Sequence, residues 1–176
     1  MYDLLTVGNF AIDLVISHRI ANPSPTLGGS PVYVSLSARQ LGLKVSVISK
    51  VGKDFSKEYV SWLEANDIDL SGLKIDKDAL TTSFTLRYTN GKRKLQLRNR
   101  ATPILLEDIS ASLTSKVIHI SPVADEISQE VVHKLRTLTS TLSFDPQGFV
   151  REFDKEGKMR LWKWKNSSIL EKIDIY

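Results

Sequence analysis

Apolar and polar positions fall into short blocks whose period switches along the chain. LLTVG (4–8) and IDLVI (12–16) are apolar, β-branched runs separated by Asn9, which predicts two buried strands of a sheet. In VYVSLSARQL (32–41), Val32, Leu36, Arg39 and Gln40 recur at helical spacing, Val34, Ala38 and Leu41 fill other faces, and Gly42 follows as a helix stop. KVSVISKVG (44–52) predicts a strand through Val45, Val47 and Ile48. SKEYVSWLEAND (56–67) predicts a helix capped by Ser56, with Tyr59, Val60 and Leu63 as its apolar face. The order strand, helix, strand, helix predicts an α/β fold with a mostly parallel sheet.

Residues 81–100 break that rhythm. TTSFTLRYTNGKRKLQLRNR alternates on both sides of Asn90-Gly91, a strong short-range hairpin signal. Phe84, Leu86 and Tyr88 share one face before the turn, and Leu95 and Leu97 share one face after it. Such a basic hairpin inside an α/β chain predicts an accessory flap. The α/β rhythm resumes with KVIHI (116–120) as strand, ISQEVVHKLRTL (127–138) as helix and TLSFD (141–145) as strand. LWKWK (161–165) predicts a partly exposed segment or the start of a short helix. No internal repeat or low-complexity linker is visible, so the 176 residues read as one unit.

Composition narrows the classes. The chain is 41% hydrophobic and 25% charged, ordinary for a globular protein and unlike a disordered one. No apolar run reaches the roughly 20 residues of a membrane span. The start, MYDLLTVGNFAIDLV, has no basic n-region and no small-residue cleavage site, so no signal peptide is expected. With no cysteine, disulfides, thiol catalysis and cysteine metal sites are excluded, and a cytoplasmic setting is expected. The net charge of +4 suits an anionic ligand, and it equally describes a solvated surface with a modest lysine excess.

In an open α/β sheet, ligands bind at the carboxyl ends of the strands. One candidate region contains Asp13 and leads to Gly28-Gly29, which open the helix beginning near Pro31. Glycines there let a ligand approach free backbone N–H groups without a Cβ clash, although glycine pairs also make plain turns. A carboxylate such as Asp13 can accept hydrogen bonds from two neighbouring hydroxyls of a polyol, or it can cap a helix. Asp145-Pro146-Gln147-Gly148-Phe149 follows a predicted strand; it reads as cleft lining or as an ordinary turn. His18, His119 and His133 are scattered, with no metal-ligand spacing and no HExxH, so no metal site is expected. GxSxG and GxxxxGK[ST] do not occur. Lys92, Arg93, Lys94, Arg98 and Arg100 read as the solvent face of the hairpin, without the interleaved aromatics of a nucleic-acid module.

Taken together, these pieces resemble the ribokinase/PfkB carbohydrate kinases. Gly28, Gly29, Pro31, Ser35, Gly42 and Gly52 fall at the spacing of that family's first signature. VGNFAIDLV resembles its first strand and sugar-binding aspartate, KVGKDF its G-x-D-x-F region, and the 81–100 hairpin its β lid. The resemblance implies a doubly wound, mostly parallel α/β domain closed over by a small β lid. It covers all of 1–176, but only about the first half to three fifths of a family member. The ending ILEKIDIY resembles the strand that leads into the family's N-x-x-E element.

The resemblance further implies that Asp13, Gly28 and Gly29 hold substrate hydroxyls. Tyr33 replaces the signature asparagine, and Ile120 stands where a substrate-binding glutamate is common, both of which argue against ribose. Tyr33 can hydrogen-bond and pack on a cyclic substrate, or fill the inner face of its helix. GG-x-x-x-Y with SPVADEI and FDPQGF is more similar to an archaeal-type subgroup that includes inositol-like polyol kinases and nucleoside kinases. Asn9, Arg98 and Gln147 are further candidates to line the cleft. The family uses ATP and magnesium, and its catalytic base, magnesium element and nucleotide pocket are expected in sequence beyond Tyr176. The chain is therefore expected to carry a substrate-binding half, to bind no nucleotide tightly and to be inactive alone. Its partners are expected to be a small sugar, polyol or nucleoside and a second copy joined through the lid or an exposed sheet edge, with no nucleic acid and no membrane. The alternative is a truncated, non-catalytic module that binds a polyol or oligomerises.

Overall fold

The two apolar runs at the start of the chain belong to different sheets. In the computed structural model, which describes residues 1–163 and 168–176, β1 (Tyr2–Val7) is the middle strand of a five-stranded sheet. The next strands, β2 (Ala11–Ser17) and β3 (Pro25–Gly28), instead pair antiparallel in a second sheet. The expectation of two strands in one sheet is corrected here. Asp13 and Val15 point to a cavity on one side of β2, and by the two-residue period Ile12, Leu14 and Ile16 face the other. A continuous apolar run thus forms a half-covered strand.

The chain continues through α1 (Ser30–Gln40), β4 (Val45–Gly52), α2 (Lys57–Ala65) and β5 (Ile68–Asp76). The hairpin β6 (Thr82–Thr89) and β7 (Lys92–Asn99) follows, then β8 (Ser115–Ile120), α3 (Gln129–Arg136) and β9 (Thr141–Phe144). A short α4 (Gln147–Val150) leads into the ribbon β10 (Arg151–Phe153) and β11 (Met159–Leu161). The main sheet runs β5-β4-β1-β8-β9 with every pairing parallel, so the strand order reverses between β1 and β8. This is the doubly wound architecture expected from the sequence.

Alternation within the strands builds a core on each face of the sheet. Val47 and Val51 of β4 pack with Val32 of α1 and Leu63 of α2, whereas Ile48 packs with Leu5, Ile118 and Leu142 against Val131, Val132 and Leu135 of α3. Each fully buried Leu or Ile contributes about 2 kcal/mol. Ser56 caps α2 by accepting from Tyr59 N (3.3 Å), as expected, and Ser128 caps α3 by accepting from Val131 N (3.3 Å).

The lid is larger than the predicted hairpin. It is a four-stranded sheet in the order β3-β2-β6-β7, with β2 and β6 parallel. Asn90 (φ 51°) and Gly91 (φ 73°) form the two-residue turn. Phe84 pairs with Leu97 and Leu86 with Leu95; their face packs on Phe153, Val123 and Ala124. Behind the lid, Asp108 is buried and bridges Lys50 (2.7 Å) and Lys74 (2.9 Å), fixing the returning segment to β4 and β5.

Near the end, Ser168–Lys172 form a 3-10 turn, and Phe144 N then donates to Ile175 O (2.9 Å) in a single parallel bridge beside β9. Of LWKWK, Leu161 ends β11 and Trp162 is exposed, while Trp164 and Lys165 lie outside the described residues. Among the described residues, no helix is long and apolar enough to cross a membrane.

Candidate functional site

The reversal between β1 and β8 splays the loops that follow them, which is where open α/β sheets place ligands. Here that crevice is roofed by the lid. The half-open cavity is about 420 Å³, with Asp13, Leu86, Tyr88 and Arg93 from the lid and Gly29, Tyr33, Val123, Gln147 and Arg151 from the core.

Glu126 fixes the floor. Its side chain is 1% exposed, and its carboxylate accepts from Asn9 N (2.9 Å), Val123 N (2.9 and 3.0 Å) and Ala124 N (2.7 Å). One buried carboxylate therefore ties the loop after β1 to the loop after β8, on both sides of the reversal. Burial pushes its pKa up, and the N–H donors oppose that shift.

Asp13 sits on β2 beside Phe84 of β6 and Thr26 of β3, with its carboxylate turned into the cavity. Its Oδ1 is buried and has no hydrogen-bond partner among the described residues. Burial pushes its pKa up to about 6, with the Arg93 charge pulling the other way. A buried carboxylate oxygen without a donor is costly unless something supplies one. A ligand hydroxyl has the right chemistry.

Gly28 and Gly29 make room for this group. A Cβ on Gly28 would overlap the Asp13 carboxylate. Gly29 has φ 92° and lies where a Cβ would come within 2.8 Å of Asn9 O and 2.9 Å of Ala11 N. Gly29 also caps α1 without a side chain, so the start of that helix faces the cavity with its backbone. One turn on, Tyr33 reaches the same space at 59% exposure. Its phenol is pushed up by burial first, then by the charges of Asp13 and Tyr88. Gln147, at the start of α4, donates from Nε2 to Ser30 Oγ (3.3 Å), and so links the loop after β9 to α1.

Asp13, Gly29, Tyr33 and Gln147 thus meet at one cavity, with Gly28 packed behind Asp13. Asn9 and Arg98 do not line it, contrary to the expectation for both. Asn9 is fully buried: its Oδ1 accepts from Lys50 N (2.8 Å) and its Nδ2 donates to Thr102 O (3.4 Å), so its polar atoms are used inside the fold. Arg98 faces a separate groove with Asn99, Arg100 and Asp154, because the alternation that turns Leu95 and Leu97 inward turns Arg98 outward.

The same alternation reveals what the sequence reading missed. Arg93, placed there on the solvent face, pairs with Tyr88 and lines the cavity. It shares the parity of Leu95 and Leu97, a usable signal in the sequence. Arg151 gave no such signal, since its position depends on where α4 stops and β10 begins. Among the histidines, His119 shares a hydrogen bond with Ser143 Oγ (3.0 Å). Among the described residues no group of three or more His, Asp or Glu side chains is placed to hold a metal ion.

Comparison with known proteins matches this geometry to a family. A model of the pfkB family of carbohydrate kinases matches residues 1–151. The chain is 29% identical over 157 residues to a cytidine kinase of Thermococcus kodakarensis, covering 83% of this chain and 52% of that protein. It is 29% identical over 194 aligned positions to a 5-dehydro-2-deoxygluconokinase of Clostridium perfringens, covering 99% of this chain and 54% of that one. A solved pyrophosphate-dependent kinase of the ribokinase family, complexed with a pyrophosphate analog and myo-inositol, superposes with a TM-score of 0.81 at 27% identity. That superposition covers 97% of this chain and 59% of the other. The chain spans about half the length of the curated relatives it matches. With that match across most of its length, the chain belongs to the pfkB family of carbohydrate kinases.

Proposed function

We propose that the protein phosphorylates a hydroxyl of a small sugar, polyol or nucleoside, and that this chain carries the substrate-binding half. The observation that carries the proposal is the buried, unpartnered Oδ1 of Asp13 facing a cavity sized for such a molecule. Two neighbouring hydroxyls of the substrate donate to the Asp13 carboxylate, and the close approach of backbone at Gly28-Gly29 leaves them space. The Tyr33 ring borders the substrate. The lid strands β2, β6 and β7 shield it from water, which strengthens each polar contact.

The relatives support this range of substrates by their names, which include a cytidine kinase and a 5-dehydro-2-deoxygluconokinase, and one solved relative is complexed with myo-inositol. ATP with magnesium is the proposed donor, and the pyrophosphate dependence of that solved relative makes pyrophosphate the second donor to test. The donor would supply the phosphoryl group. No described residue is assigned to the metal, the donor or the catalytic base. In this division of labour the 176-residue chain binds substrate without turning it over.

The test is a binding panel on the 176-residue chain by isothermal titration calorimetry, with myo-inositol, cytidine and 5-dehydro-2-deoxygluconate. Saturable one-to-one binding of at least one member, weakened by Asp13→Asn, is the expected result. Binding of none, or binding indifferent to Asp13, contradicts the proposal.

A further inference from the structure

The ribbon β10–β11 leaves the core and ends on the lid. It starts at Arg151, directly after α4, and returns to Trp162, whose N–H donates to Val150 O (2.8 Å). α4 is seated on the floor of the cavity. Its Gln147 reaches Ser30, and a Cβ on its Gly148 would come within 2.5 Å of Pro122 Cβ in the loop after β8. At the far end the turn 154–158 docks on β7. Leu97 N donates to Gly157 O (2.8 Å), Gln96 Nε2 donates to Glu156 O (2.7 Å), and Gln96 bridges Lys158. Between the two ends Phe153 packs on Phe84, ring centroids 5.9 Å apart, and Phe84 is the register partner of Asp13.

The turn is shaped before it docks. Asp154 Oδ1 accepts from Glu156 N (2.9 Å) and Lys158 N (2.8 Å), and Asp154 O accepts from Gly157 N (2.9 Å). Gly157 is required twice over: its φ is 74°, and a Cβ would overlap Leu97 O. A turn that merely pointed into solvent would have the first need and not the second. β7 is the outer strand of the lid sheet, and edge strands open most readily. The ribbon covers that edge at Gln96 and Leu97. Farther out, a cleft of about 440 Å³ opens between Lys158 and Met159 on one side and Arg93, Lys94 and Leu95 on the other. The lower half of β7 is thus held to the core, and the tip is not.

We propose that the turn 154–158 is a latch, seated by Gly157, that ties the lower lid to the loops after β8 and β9 and confines lid movement to the hairpin tip (87–94). The tip carries Tyr88 and Arg93 over the cavity. Substrate enters and leaves as the tip bends, while Phe84 keeps Asp13 in place. The part concerning substrate rests on the cavity being the substrate site; the latch does not.

The test compares Gly157→Ala with Gly42→Ala. Gly42 also has a left-handed backbone (φ 80°), but open space surrounds its Cβ position at the other end of α1, so this variant carries the strain without touching the lid. Amide hydrogen exchange followed by NMR reads the latch without any ligand. The N–H of Arg93 points away from β6, as that of Leu97 does. In the unmodified chain Leu97 is expected to exchange at least tenfold more slowly than Arg93. Gly157→Ala is expected to bring Leu97 close to the rate of Arg93, and Gly42→Ala to leave the difference as it was. Calorimetric titration with myo-inositol and with cytidine reads the consequence: about tenfold weaker binding in Gly157→Ala and unchanged binding in Gly42→Ala. Slow exchange at Leu97 that survives Gly157→Ala overturns the latch. Faster exchange there with unchanged affinity overturns its role in holding the site. Equal losses in both variants assign the effect to stability alone and also overturn it. If neither ligand binds the unmodified chain, the substrate reading fails, and the exchange comparison alone decides the latch.

Discussion

Gly28 and Asp13 are diagonal neighbours across the β2–β3 ladder, so close that a Cβ on Gly28 would stand 2.2 Å from Asp13 Oδ2. The glycine is needed at this position because the carboxylate occupies the space a side chain would take. Gly28→Ala therefore forces the carboxylate aside. The expected cost is about 1–3 kcal/mol in stability, typical of overpacking, with loss of ligand affinity of tenfold or more. Thermal denaturation and calorimetry on the same sample check both. An alanine variant that binds as tightly as the unmodified chain contradicts the coupling of these two residues.

The raised pKa of Asp13, about 6 against an ordinary 3.8, sets a pH dependence with a definite sign. Between those values the folded chain holds a proton that the unfolded chain has released, so stability falls as pH rises through that window. Above it, the full cost of burying the charge is present. Asp13→Asn is expected to stabilise the unliganded chain at pH 7.5 by about 1–2 kcal/mol, after allowance for partial solvent screening. The gain should fade below about pH 4, where the carboxyl is largely protonated in both states. Ligand affinity should run the opposite way, rising through pH 6 as the acceptor ionises. Denaturation midpoints between pH 4 and 8 decide the point; a flat difference between the two proteins contradicts it.

Glu126→Gln places an amide where three backbone N–H groups from Asn9, Val123 and Ala124 converge on acceptor oxygens. One of those donors then faces another donor in a fully buried site. The expected loss is about 2–4 kcal/mol, read as a lower Tm. A variant with unchanged Tm shows that the clamp does not hold the two loops.

Much of the architecture was legible in sequence, because several elements carry unambiguous local signals. Asn90-Gly91 between alternating residues specified the hairpin, and Ser56 marked the start of α2. Strand β5 was missed for a physical reason. Its pairing to β4 shifts register between Ser46 and Ile48, so Asp69 to Gly72 spans three steps against two, and the apolar alternation changes parity midway. The assignment of β2 to the main sheet failed because a continuous apolar run does not say which sheet it joins. At the site, Asp13, Gly29 and Tyr33 were legible from spacing and family resemblance. Asn9 was misplaced because the polar residue between two strands turns inward to Lys50 N and Thr102 O. Arg93 was hidden among basic neighbours, although its parity with Leu95 gave it away.

Tyr33 is exposed enough that its hydroxyl does little for the fold. Tyr33→Phe is expected to leave the unfolding free energy within about 0.5 kcal/mol of the parent's while weakening ligand binding several-fold. Loss of stability with unchanged binding would assign Tyr33 to packing on its own helix instead.

The central claim is that the buried carboxylate of Asp13 is an acceptor waiting for substrate hydroxyls. The most direct measurement is a calorimetric titration at pH 7.5 of the unmodified chain and of Asp13→Asn, using the tightest ligand from the panel. Asp13→Asn should lose at least tenfold in affinity while being as stable as its parent or more so. Equal affinities in two folded proteins would contradict the account.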